Sequence, residues 1–262
     1  MMTMNEIDEA IDWQGNELSC ADCMNHALSE AGKCSLKQAC VQDRYAKRID
    51  RFFEWNPTLA RNYLEHLYFE VRAVAAKHVD VFHLPRLMFD RDETVRWSVA
   101  SRLPSKYLMQ MRADKDREVR IRVVARLEEG NLGSMINDPD YYVRQIVARR
   151  IPAGMLILMM HDPDAEVRLT VAKRIGDDWL IKMSGDKDAS VRIEVARRID
   201  GAQLHLLLND PDWRVRYEAT SRVAAKHLKQ MLSDEDPAVR ELASSRLEQG
   251  SAGQAMHVFS VV

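Results

Sequence analysis

Beyond residue 70, apolar and polar positions recur at a fixed interval. Val71, Val95, Val119, Val143, Val167, Val191, Val215 and Val239 are each followed by arginine and are evenly spaced, without an insertion. Eight residues after each valine comes an aliphatic, from Val79 and Leu103 through to Leu247. It is preceded by arginine in every copy except the first, which has His78. A leucine then recurs from Leu84 to Leu228, with Leu or Met three residues beyond it, as in Leu180 and Met183. An Asp-x-Asp precedes each Val-Arg from Val95 onwards.

The stretch HDPDAEVRLTVAKRI translates that spacing into structure. Val167, Val171 and Ile175 fall four apart, on one face of a helix. Asp162 is expected to cap it, with Pro163 at the first helical position, and Lys173 and Arg174 close it where the dipole favours cations. A helix of about 12 to 14 residues leaves about ten for everything else, which suits one short 3₁₀ turn rather than a second full helix. Leu180 and Met183 would point from that turn into the core. No alternating β-branched segment competes for a strand. A unit this small cannot bury its apolar side alone, so the units must stack as an all-α solenoid.

The charges along the array first read as structural. The second Asp of each Asp-x-Asp lies four residues before the arginine, as in Asp92 and Arg96, Asp116 and Arg120, or Asp164 and Arg168. On a helix such side chains meet as weak surface pairs. The later arginines have no acid at fixed spacing and are expected to terminate helices; His78 reads as drift. Trp97, Tyr141, Tyr142 and Trp213 interrupt otherwise small or polar positions, either as packing or as anchors for a partner. The recurring methionines belong to the core. After Leu247 the pattern stops, and Met256, Val258, Phe259, Val261 and Val262 are expected to cap the last unit.

All four cysteines lie before the array, spaced Cys-x₂-Cys-x₁₀-Cys-x₅-Cys at Cys20, Cys23, Cys34 and Cys40. The chain has 262 residues, 38 basic against 40 acidic side chains, and acidic groups but no basic ones in its first twelve residues. No secretory signal or membrane-spanning run is expected, so the protein is read as cytoplasmic, where clustered thiols bind metal rather than form disulfides. Only Cys20 and Cys23 form a short knuckle, so zinc, an iron–sulfur centre and reduced or redox-active thiols all stay open.

The repeating unit resembles the leucine-rich repeat variant (LRV) family over residues 71–248. That resemblance implies a right-handed superhelix of alternating α- and 3₁₀-helices. It also implies an N-terminal four-cysteine domain, in which Cys20, Cys23, Cys34 and Cys40 would hold a [4Fe–4S] cluster, leaving zinc as the lesser occupant. The family is associated mainly with nitrogen-fixing bacteria. The expected organisation is therefore a cluster domain at 1–48, a helical junction or degenerate half-repeat at 49–70, and eight repeats with a cap at 71–262.

Residues 1–48 carry eight acids and five bases. A cluster would make this head more negative, which suits redox docking on a basic protein. The expected role is a scaffold for another protein, with the cluster redox-responsive or transferring electrons. The alternative is a HEAT-like solenoid gripping nucleic acid around a structural cluster, which the balanced charge disfavours. No Gly-rich phosphate loop, Ser/His/Asp arrangement or paired catalytic acids point to an enzyme.

Overall fold

Each Asp-x-Asp opens one α-helix, and the second aspartate, not the first, caps it. In the computed structural model, which describes residues 8–258 and their side chains as far as 249, the specimen helix is Ala165–Ala172. Its N-cap is Asp164, whose carboxylate accepts the Glu166 amide at 2.9 Å. Asp162, expected in that place, stands too early; its Oδ1 accepts the Asp164 amide instead. Pro163 sits in the turn between them, and the helix is shorter than its spacing suggested.

The chain divides into two units, Met1–Asn131 and Leu132–Val262. The first contains α1 (His26–Glu30), α2 (Ala46–Trp55), α3 (Phe69–His78), α4 (Glu93–Arg102) and α5 (Arg117–Arg126). The second contains α6 (Tyr141–Arg150), α7 (Ala165–Ala172), α8 (Ala189–Arg198), α9 (Trp213–Arg222) and α10 (Pro237–Val258). Within each unit, successive repeat helices pack on one another and alternate with short turns, 3₁₀ in whole or in part. Val81–Leu87 and Ala153–Met159 are examples of those turns. Val167, Val171, Ile175, Leu180 and Met183 are all buried, as the spacing predicts. The all-α solenoid is thus observed in both units.

The arginine after each valine does not meet the acid four residues before it. Arg96 donates through Nε and Nη2 to both carboxylate oxygens of Asp114, 18 residues on, at 2.7 and 2.9 Å. Its Nη1 donates to the Asp90 carbonyl at 2.8 Å. Arg72–Asp90, Arg144–Asp162, Arg168–Asp186, Arg192–Asp210 and Arg216–Asp234 repeat the arrangement. The reason is division of labour. The second Asp is spent on the cap, so the planar guanidinium reaches across to the first Asp of the next repeat, where two parallel bonds fit its fork. These pairs are nearly buried, not surface decoration: 4% and 7% of the Arg168 and Asp186 side chains are exposed.

The later arginines cap the preceding helix rather than their own. Arg102 Nη1 donates to the carbonyls of Ala76 and Val79, both at 2.8 Å; Arg126 does the same to Ala100 and Leu103. His78 is not drift. Its Nε2 lies 2.7 Å from Asp50 Oδ1, tying α3 to α2.

Before the array, α2 and the 3₁₀ turn Pro57–Tyr63 form a whole α/3₁₀ unit where a half-repeat was expected. Ile49, Phe52, Phe53, Ala60, Tyr63 and Leu64 fill its core. Arg48 stands one repeat interval before Arg72 and likewise binds a buried aspartate, Asp43, at 2.8 Å. At the other end, α10 runs past Leu247, where α3 to α9 have already ended. The expected cap side chains from Met256 to Val262, and the first seven residues, lie outside what the structure describes.

Candidate metal centre

The cysteine segment is shaped by turns rather than by periodic packing. Asp12 Oδ1 accepts the amides of Gln14 and Asn16 at 2.8 Å, with Gly15 at φ +93°, and the chain folds back as the isolated bridge Ile11–Glu17. The Cys23 amide then donates to the Cys20 carbonyl at 3.4 Å, and the His26 amide to that of Cys23 at 2.9 Å. The knuckle therefore runs directly into α1.

After Glu30, α1 stops in a Schellman arrangement. The Lys33 amide donates to the Leu28 carbonyl at 2.7 Å and the Gly32 amide to that of Ser29 at 3.0 Å. Gly32 takes φ +66°, a conformation that glycine adopts without a Cβ penalty. The reversal carries the chain to Cys34, and a second bridge, Ser35–Ala39, delivers Cys40. The Cys40 amide is anchored on the Arg48 carbonyl of α2 at 3.2 Å.

Cys20, Cys23, Cys34 and Cys40 line one cavity of about 300 Å³. Leu18, Leu36, Val41 and Phe52 supply apolar wall, with Met24 at the rim, 81% exposed. Phe52 comes from α2, so the site draws on the first repeat as well as on the cysteine segment. His26 is directed elsewhere: its Nδ1 takes the Cys20 carbonyl at 2.9 Å and its Nε2 lies 3.5 Å from Glu30.

The donor set, four thiols lining one cavity, fits a thiolate-held metal centre. A single zinc at about 2.3 Å from each sulfur would draw the four thiolates together around a point. Here all four line a cavity, and among the described residues no three His, Cys, Asp or Glu side chains are yet gathered closely enough to hold a metal ion. Burial pushes the Cys40 thiol up to about 11, with Asp43 and Cys23 adding to the rise. Cys34 is raised as well, by burial first and then by Cys20 and Cys23. Cys34 and Cys40 would therefore need a cationic group beside them to be held as thiolates. An amide donor aimed at sulfur is already in place: Asn25 N–H lies 3.4 Å from Cys23 Sγ.

The variable aromatics divide into two kinds. Trp97 is half-buried beneath the Arg122 guanidinium of the next repeat, 4.4 Å from the ring centroid, and serves packing. Tyr141 and Trp213 are each 44% exposed. Trp213 meets Tyr217, four residues on, edge to face at 6.4 Å. Sequence reasoning missed Tyr217 and Phe52. Tyr217 could have been found from its helical spacing to Trp213; nothing in the spacing pointed Phe52 at the cysteines.

Comparison with known proteins covers both parts of the chain. A family profile described as "LRV protein FeS4 cluster" matches residues 10–62, and one described as "Leucine rich repeat variant" matches residues 141–164. An uncharacterized 27.7 kDa protein in the nifB 3' region of Rhodobacter capsulatus is 48% identical over 104 residues. That match spans 40% of this chain and less than half, 42%, of the relative. A solved structure, described as a leucine-rich repeat variant with a novel repetitive protein structural motif, is 42% identical. It covers 88% of this chain and 99% of its own, with a TM-score of 0.82.

Proposed function

Because the chain belongs to the leucine-rich repeat variant family, we propose that Cys20, Cys23, Cys34 and Cys40 hold a [4Fe–4S] cluster and that the solenoid presents it to a protein partner. The observation that carries this reading is the shared cavity, with four thiols around a volume and an apolar wall behind them. When bound, such a cluster supplies a one-electron couple. The chain's own groups do the rest. The four thiolates would bind iron, Phe52 and Val41 would keep water from its inner side, and the Asn25 amide would stabilise negative charge on the Cys23 sulfur.

The role is redox response or electron transfer on a scaffold, not catalysis on a bound substrate. Trp213, Tyr217 and Tyr141 are the anchors offered to the partner. The relative's place in a nifB 3' region supports a setting close to nitrogen fixation. Among the described residues no helix is long and apolar enough to cross a membrane, and a reducing cytoplasm suits thiolate ligands. A nucleic-acid reading built on the repeated Val-Arg arginines is disfavoured, because Arg72, Arg96, Arg144, Arg168, Arg192 and Arg216 are committed to aspartates.

The test is anaerobic purification, followed by iron and acid-labile sulfide assay and a visible spectrum before and after dithionite. Iron and sulfide at about four each per chain, with a bleachable brown chromophore, is the expected result. Stoichiometric zinc without colour overturns it.

A further inference from the structure

We infer that Tyr63, acting through Asn25, is a positioning residue for Cys23, so that the first repeat sets the electronic environment of the cluster. The inference rests on the four-cysteine cluster reading above. Asn25 stands between the two groups. Its backbone N–H donates to Cys23 Sγ at 3.4 Å, and its carboxamide meets the Tyr63 hydroxyl at 2.9 Å from Nδ2 and 3.1 Å from Oδ1. The hydroxyl belongs to the last residue of the Pro57–Tyr63 turn, which is only 7% exposed.

Tyr63 cannot easily shift. Its ring lies edge to face on Phe52 and Phe53, at 6.0 and 5.5 Å between centroids, and Phe52 is itself part of the cavity wall. The far end of the same segment is held from the same repeat: Asn56 Nδ2 donates to the Lys33 carbonyl, beside Cys34, at 2.7 Å. Between these two struts lies α1, which contributes no fully buried side chain of its own. The link from Cys23 to Cys34 therefore takes its position from the first repeat. An N–H bond to a ligand sulfur favours the more negative, reduced state, and a rigid support keeps that bond short.

The experiment uses the full-length, cluster-loaded protein, prepared anaerobically. Tyr63→Phe keeps the ring packing and removes the hydroxyl. The expected results are a lower reduction potential in a titration followed by electron paramagnetic resonance, a broadened signal, and iron release to a chelator about tenfold faster. Asn25→Ala reaches the same bond from the cysteine segment without touching the repeat core. It should reproduce the shift, and the double variant should go no further than either alone. A potential, signal and release rate unchanged in both variants overturn the positioning role while leaving the cluster reading intact. A wild-type protein that binds no cluster overturns both.

Discussion

The two aspartates of each Asp-x-Asp look alike in sequence and do different work. Asp188 caps α8 by accepting the Ser190 amide at 2.8 Å. Asp186 receives both arms of Arg168 in a nearly buried pair. Removing a cap costs about 1 kcal/mol, whereas removing one partner of a buried pair strands the other charge at about 3–5 kcal/mol. Asp186→Ala should therefore destabilise the chain several times more than Asp188→Ala, in urea unfolding followed by circular dichroism. Replacing Arg168 and Asp186 together by Met and Leu should recover most of the loss, because no charge is then left alone. Equal costs for the two aspartates would remove the distinction.

Single elements here are finished by their neighbours. α3 ends with its Ala76 and Val79 carbonyls bound by Arg102 of the next helix. Arg102→Met keeps much of the stem's apolar contact but abandons both carbonyls. It should lower stability by about 2 kcal/mol, the scale of hydrogen bonds to a charged group, with Arg102→Lys in between. In the cysteine segment, Gly32 ends α1 with a positive φ. A Cβ there would meet nothing within 4 Å. The penalty of Gly32→Ala is therefore conformational, about 1–2 kcal/mol. That variant should lose iron faster than wild type in the presence of a chelator, and Gly32→Asn should lose it less quickly, since Asn tolerates the left-handed region.

At the scale of the whole molecule, three of the repeated pairs make stability depend on acid. Hydrogen bonds from Arg216 hold the Asp234 carboxyl below its ordinary range. Asp186 and Asp90 are also depressed: burial alone would raise them, but Arg168 with the Asp188 amide, and Arg72 with the Asp92 amide, together outweigh it. A carboxyl with a lowered folded pKa contributes its full stability above the unfolded value, about 3.9, and loses it as pH falls through the folded value. Thermal unfolding should therefore show no loss from these pairs between neutral pH and about 5, and a fall setting in below about 4, steepened by the repetition. Because the pairs are nearly buried, salt at about 1 M and neutral pH should weaken them little. A main loss of stability between about pH 8 and 6 would contradict the assignment.

What the amino-acid sequence determined unaided was whatever is periodic. The repeat interval, the buried face of Val167, Val171 and Ile175, and the short turn carrying Leu180 and Met183 follow from one requirement, that every unit hide the same apolar side. The grouping of the cysteines was equally plain. Tertiary structure decided what lies between units. Arg96 passes over the acid four residues away for Asp114, 18 residues on, because the nearer one is already capping. The first repeat was hidden because Lys47 stands where later copies carry the marker valine, although Arg48 keeps the interval. The placement of Phe52 in the thiol cavity, and of Tyr63 against Asn25, could not be read from spacing. Those contacts join an aperiodic loop to a packed repeat, and only the folded chain fixes where such a loop comes to rest.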